Sequence, residues 1–506
     1  MTCEGARGPR RTVARAPGRV CHCGRMATRR ARIDVVAVLA GVAMSVVALV
    51  QLFLPSPVGL ADNGDYTRLV CHVGIAQAHA PGDFRDRAQF VTFVLHRGPP
   101  PASVPCNYWS PAVVPVWLAA HLTPVFGRSG TLDLRLLAVG YALLLGAAFG
   151  LLISALPRAP RVRVPAAAVG ILALGDFAFV EYFASAYSEA LGLVALLATV
   201  GLLIRCWGAK RVGPGLLGAT TLAAVVLVST KPQYGPLALV LAAALLVRPL
   251  VVDRAAPWRG SRLLHVVAAV VVVGVGAVTI HATPKQFGAV NRYDAFFYEL
   301  LGHSPDPAAD LRSFGLPPTL APYAGTSWYS AHNASHTAAW PHQLTHLTYA
   351  RLAAFYATHP DRAARLAGRG LRAAATPHLD YLGNYPAGHR GSPIACRLCL
   401  GSTFTNTFRS SAVVWIPLLW LLALGFGLVS LRSRLRRTRA LGGGLLLTTA
   451  IAVTTFAAAL LGEGSYEVGR HLFLTDASSA LLVVLLVATL CGRFTRPERP
   501  VEGARD

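Results

Sequence analysis

Four polar clusters in an otherwise apolar chain hold residue types that do chemistry together. Asp62, Asp65 and Arg68 stand in LADNGDYTRLV, and Glu189 in ASAYSEALG. Lys231 and Gln233 stand in STKPQYGP, while Glu463, Glu467, Arg470 and His471 stand in GEGSYEVGRHLFLTDA. A carboxylate beside a cation can take the proton of an attacking hydroxyl or hold a divalent ion, while the cation neutralises charge growing on a departing phosphate. Each cluster also has a plain local explanation. Glu189 can cap a helix after Ser185 or Ser188, Lys231 can sit on a Pro-Gly turn, DNGD can close an Asx turn, and Arg470 and His471 can anchor a helix end at an interface. The elements that carry them decide between these explanations, by bringing the clusters to one place or leaving them apart.

Those elements are membrane spans. The chain has 506 residues, 54% hydrophobic and only 14% charged, with a net charge of +24. This composition is that of an integral membrane protein. The basic residues fall in short clusters between apolar runs, and no nucleic-acid-binding signature accompanies them, so the charge reads as a topology signal and nucleic acid is set aside as a partner. Residues 1–33 read as a basic cytosolic tail, and 492–506 as a second one. The first apolar run lacks a cleavage site and reads as a retained span.

A span takes about 20 apolar residues. The runs that meet this, or come near it, are 34–54, 133–156, 165–184, 188–206, 214–230, 235–252, 264–282, 412–431, 441–461 and 472–491, about ten in all. The arginine-rich loops around Arg158–Arg163, Arg205–Arg211, Arg254–Arg262 and Arg432–Arg439 then share one face with both termini, which the positive-inside rule makes cytoplasmic. The expected fold is an all-α polytopic membrane protein, with spans 1–7 over 34–282, a mainly helical external segment over 283–411, and three spans over 412–491. The first external loop, 55–132, contains SPAVVPVWLAAHLTPVF, which reads as an interfacial or re-entrant helix because a full span there would reverse the arginine loops.

In this topology the four clusters lie on the external face. Tyr108, in the first external loop, and Trp328, Tyr329 and Trp340, in the second, are aromatics that either pack the external domain and its interface belt or stack on a sugar ring. Cys71 with Cys106, and Cys396 with Cys399, are placed to pair within their own loops in an oxidising exterior. The CxxC at 396–399 with His389, and the i, i+4 pair His332 and His336, are the zinc alternatives, both short of a full ligand set. Asp176, Glu181 and Asp476 are the acids inside spans, and they read either as the in-membrane charges that transport calls for or as the lining of a groove by which a lipid enters.

The layout resembles the GT-C superfamily of membrane glycosyltransferases, which use polyprenyl-phosphate-linked sugars. In that superfamily an acidic motif opens the first external loop and helices lying along the membrane follow, as ADNGDYTR and 110–126 do here. VGLADNGDYTR is similar to a stretch after the first span of bacterial glycan-biosynthesis hexose transferases, and YSEAL at 187–191 looks like a motif of lipid-linked mannosyltransferases. The resemblance implies an inverting hexosyltransferase of the cell membrane that builds envelope glycan. Asp65 or Asp62 would be the catalytic carboxylate, with Asp65 placed first and Asp62 as orienting or metal partner. It implies substrate contacts from Arg68, Tyr108, Glu189, Lys231, Gln233, Glu467, Arg470 and His471, a polyprenyl-phosphate sugar donor, and a glycan or lipid acceptor. DNGD departs from the adjacent acid pair common in the superfamily, which leaves a divalent metal ion as an open expectation. The other classes are a transporter or flippase of a lipid-linked glycan, which calls for charges near mid-membrane and repeated halves, and a non-catalytic membrane protein, which leaves the clusters without a reason.

Overall fold

The computed structural model describes residues 34–61, 64–76, 92–98, 106–247, 261–337, 340, 344–386 and 394–493. The chain divides into two units, Met1–Asp34 and Val35–Asp506, and the architecture lies in the second. Asp62, one of the two candidate catalytic acids, is outside the described residues, as are His342 and His389.

Seven helices are long and apolar enough to cross a membrane: Val35–Phe53, Leu134–Ala155, Ser188–Gly208, Arg262–His281, Arg409–Leu431, Arg436–Glu463 and Phe473–Arg493. Pro160–Leu174 and Phe177–Ala184 meet the same test as a pair, bent by 65°. The expected spans 214–230 and 235–252 are the shorter helices Pro214–Thr230 and Leu237–Val247, with 248–252 outside the described residues. The protein is thus an all-α polytopic membrane protein, but among the described residues seven helices, or eight with the bent pair, have full length where ten spans are expected. The helix Pro214–Thr230 ends where Lys231 turns extended and Pro232 follows, as a residue before proline must.

The helix Val35–Phe53 packs along Leu134–Ala155, which packs on Ser188–Gly208; that helix in turn meets Pro214–Thr230 and Arg436–Glu463. Lipid supplies no hydrophobic force between helices, so small residues must let the backbones approach. Ala37, Gly41 and Ser45 do this against Ala142, Gly146 and Gly150. Ser45 Oγ donates to Ala142 O at 3.0 Å, and a Cβ on Gly41 would stand 2.7 Å from Gly146 O.

The bend at Gly175–Asp176 frees backbone groups that the surrounding structure satisfies. Asp176 Oδ1 accepts from Ala178 N at 3.0 Å and Oδ2 from Ser402 N at 3.0 Å, while Gln51 Nε2 donates to Gly175 O at 2.6 Å. Glu181 pairs with His378 of the 283–411 segment at 2.5 Å. Asp176 and Glu181 therefore fasten that segment to the bent span and are buried there, so the expectation that they line an entry groove is corrected. Asp476 is buried, 8% exposed.

The segment 283–411 folds as short helices, as its spacing predicts, with part of it around a core of its own: Tyr293, Phe296, Phe297, Phe314, Trp340 and Phe355. One turn of it, Asp294–Leu301, is a π-helix. The segment 110–126 is helical, Val113–Leu122 followed by a 3₁₀ turn Thr123–Phe126, with Trp117, Leu118, Leu122, Val125 and Phe126 exposed. That apolar surface suits an interfacial helix. A feature absent from the sequence reading is a small antiparallel sheet, Ile75–Ala76, Val94–Arg97 and Thr131–Asp133. Its strands are too short to imprint a period of two on the sequence. Cys71–Cys106 and Cys396–Cys399 are both disulfides, so neither pair offers thiolates to zinc.

Candidate active site

One end of the helix bundle gathers the arginine-rich loops. Arg163 Nη2 donates to Leu156 O at 2.9 Å, Arg205 Nη2 to Ser154 Oγ at 2.6 Å, and Arg436 Nη1 to Ala209 O at 2.8 Å. The opposite end gathers the acid and base clusters. There the helix Ser188–Gly208 begins, Pro214–Thr230 and Arg436–Glu463 end, and Phe473–Arg493 is about to start. Asp65 and Arg68 reach this end from the turn Gly64–Tyr66 and the short helix Thr67–Val70, downstream of Val35–Phe53.

Asp65 is held between two guanidinium groups. Arg470 contacts one carboxylate oxygen, and Arg68 Nη2 contacts the other at 2.8 Å. Burial pushes the Asp65 carboxyl up, but Arg470 and then Arg68 outweigh it and hold the group well below the usual carboxylate range. Arg470 is itself 5% exposed, its guanidinium 5.6 Å from the Tyr187 ring centroid and its other acidic neighbour Glu467 at 3.7 Å. Arg68 lies over the Phe287 ring, 4.2 Å from its centroid.

Beside this lies a second row of alternating charge. Lys231 Nζ donates to Glu189 Oε1 at 2.9 Å and approaches His471 Nδ1 at 3.3 Å, while His471 Nε2 meets Glu463 Oε2 at 2.5 Å. Gln233 Nε2 donates to His471 O at 2.8 Å. Burial lowers the affinity of His471 for a second proton more than Glu463 raises it. His471 Nε2–H donates to Glu463, while Nδ1 lies between Lys231 Nζ at 3.3 Å and Gln233 Oε1 at 3.2 Å. The row then runs Glu189, Lys231, His471, Glu463, each group engaged by the next.

Two non-glycine residues of positive φ flank the site: Ala186 (φ 51°), before Tyr187, Ser188 and Glu189, and Glu467 (φ 44°), before Arg470 and His471. Left-handed backbone at such residues costs about 1–3 kcal/mol and gathers at functional positions.

Of the aromatics that could stack on sugar, Trp340 is buried in the core around Tyr293 and Trp328 packs edge-on to Tyr293. Tyr108 is 8% exposed with its ring edge-on to Phe287, so it offers no stacking face; its phenol instead bonds Ser188, next to Glu189. Tyr329 alone of the four is broadly exposed, at 61%, with its ring stacked near Tyr466 at 6.1 Å.

The loop that presents Tyr329 is fixed by residues that sequence reasoning passed over. Asp294 Oδ1 accepts from Trp328 N at 2.7 Å, and Asn333 Nδ2 donates to Trp328 O and Ser330 O at 2.7 and 2.8 Å. Burial raises the Asp294 carboxyl to about 7, helped by Glu463 and Glu467. An acid embedded in NRYDAFFYE was the available signal. A carboxyl raised in the folded state stabilises fully below its unfolded value near 4, and that contribution is lost as pH rises toward 7. Melting scans should therefore show stability falling over pH 4–7, by at most about 1.4 kcal/mol per unit. Asp294→Asn should flatten that fall; an unchanged slope would refute the assignment.

Glu299 is a second buried acid on the π-helix. It is engaged by Arg369, by Ser465 N at 3.1 Å and by the Ser465 hydroxyl, and it positions the turn before Glu467.

For a divalent ion the fit is poor. Asp65 is matched by two arginines, Glu189 by Lys231 and Glu463 by His471, so these carboxylates present no open pair. Among the described residues, only Cys71, His72 and Cys106 bring three potential ligands together, and both sulfurs are in the disulfide. His332 and His336 join no such group. No step is assigned to a metal.

Fold and site together define a multi-pass membrane protein with a charge-matched polar cluster at the end of the bundle away from its basic loops. The chain belongs to the family described as the YfdI N-terminal transmembrane domain, whose model matches residues 25–499. No curated protein and no solved structure matches it.

Proposed function

We propose that this protein is a membrane glycosyltransferase of GT-C type, moving a hexose from a polyprenyl-phosphate donor to a glycan or glycolipid acceptor at the outer face of the cell membrane. One observation carries the reading: Asp65 is seated between Arg470 and Arg68, at the head of a bundle whose basic loops lie at the far end. Membership of a transmembrane-domain family is compatible with it.

The chemistry follows from the pairings. The donor phosphate competes with Asp65 for the guanidinium of Arg470, and Lys231 adds charge from the neighbouring row. Once Arg470 turns to the phosphate, Asp65 keeps only the more exposed Arg68, its basicity rises, and it takes the proton of the acceptor hydroxyl. The hydroxyl oxygen bonds to the anomeric carbon as the bond from that carbon to the phosphate oxygen breaks, and the lipid phosphate leaves with the electron pair. Tyr329 offers the acceptor an exposed ring face. A transport cycle would draw on the acids inside the spans, yet Asp176 and Glu181 are already fastened to helix ends and to His378.

The test is incubation of the purified protein with a panel of polyprenyl-phosphate hexoses, followed by mass spectrometry of the lipid products. Transfer is expected from at least one donor and is expected to survive EDTA, because the carboxylates are matched by the protein's own cations. Failure to consume any donor, with folding verified, would sink the reading.

A further inference from the structure

We infer that Tyr381 is a phosphate-binding residue, completing with Arg470 a site for the phosphate monoester of a lipid carrier. Tyr381 lies in a strap, TPHLDYLGNYP (376–386), that is fastened on three sides. His378 pairs with Glu181 at 2.5 Å; Leu379 packs on Gly469, where an added Cβ would meet it at 2.8 Å; and Asn384 exchanges backbone hydrogen bonds with Leu60, 2.7 Å in one direction and 3.1 Å in the other. Gly383, at φ +72°, lets the strap turn against Phe177 and Glu181. Thus the strap joins the residues just before the ADNGD motif to those just before Arg470.

Within this frame the Tyr381 hydroxyl is buried and meets no hydrogen-bond partner, and the Nε of Arg470, a side chain 5% exposed, meets none either. Burial acts first on the Tyr381 phenol, and Arg470 is the charged group that acts on it most strongly. Buried donors without acceptors are rare in folded proteins, since each forfeits its bonds to water. Here the two donors, one of them on the Arg470 guanidinium itself, lie where the strap packs on Gly469, and together they are the complement of a ligand rich in acceptor oxygens and negative charge. A phosphate monoester has that chemistry. Its lipid carrier is taken from the transferase reading, while the anion site itself rests on the donors.

The test is binding, which needs no turnover. Full-length protein in nanodiscs is titrated with a polyprenyl monophosphate and, separately, with inorganic phosphate, and ligand-free melting is recorded alongside. Loss of one hydrogen bond to a charged group should weaken polyprenyl monophosphate binding by about tenfold in Tyr381→Phe. The ligand-free melting temperature should hold or rise, because the substitution keeps the ring and removes only an unmatched hydroxyl. A purely structural hydroxyl would instead lower ligand-free melting and leave affinity alone. The inference is overturned by wild-type affinity in Tyr381→Phe, by a lowered ligand-free melting temperature, or by no phosphate binding in the wild type. Equal binding of inorganic phosphate would support the anion site and assign it to free phosphate. Binding without sugar transfer from any donor would leave this inference standing and remove the transferase reading; wild-type affinity in an active Tyr381→Phe would do the reverse.

Discussion

Asp65→Asn is expected to cut sugar transfer by about 10²–10⁴-fold, the usual worth of a general base, while the protein still inserts and folds. An amide cannot take the acceptor proton, yet it fills the same space and can still accept from Arg68 or Arg470. Donor binding should hold or tighten, because the phosphate no longer competes with a carboxylate for Arg470. That split, rate lost with affinity kept, separates a base from a residue that only holds the arginine. It is read from single-turnover rates beside a titration with polyprenyl monophosphate. The pairing also fixes a pH signature. A carboxyl held low in the folded state contributes stability that is present above its unfolded value near 4 and is lost as pH falls below it. The wild type should therefore lose stability in acid more steeply than Asp65→Asn. Asp62→Asn is the companion variant, and full activity in both would end the carboxylate assignment.

Why the sequence carried the site as far as it did is visible in particular residues. Glu189, Lys231 and Arg470 stand out because a charge beside an apolar run is costly and is kept for a reason; alternate loops then put them on one face. Their partners were not readable. Lys231 meets Glu189 across 42 positions and His471 across 240, and helix packing alone sets such distances. Leu134–Ala155 falls within a residue of its expected bounds because an uninterrupted apolar run of span length has few other folds. The break at Gly175–Asp176 stayed hidden, since Asp176 is held there by the backbone of Ser402, in the short helix Leu400–Thr407 more than two hundred positions later. The segment 283–411 hid the most. Tyr381 in LDYLGNYP looks like any turn-forming stretch, and only the strap's three attachments give it a place.

Arg470→Gln tests the same pair from the cationic side. Removing one member of a buried ion pair strands the other, a loss of about 3–5 kcal/mol in buried pairs. Asp65 keeps Arg68, at 2.8 Å but on a more exposed side chain, 29% against 6% for Arg470, so the remaining partner is the weaker one. The double variant Asp65→Asn/Arg470→Gln should melt higher than Arg470→Gln, because a neutral pair of similar shape strands no carboxylate at position 65, and the partners it releases, Arg68 and Glu467, are 29% and 35% exposed and reach solvent. Arg365→Gln is the control: its partner Asp361 is exposed, and the melting temperature should not move. Transfer should fail in both Arg470 variants, and only the double variant should regain stability. If the double variant melts no higher than Arg470→Gln, Asp65 and Arg470 are neighbours without coupling, and the phosphate competition that frees Asp65 as a base has no foundation.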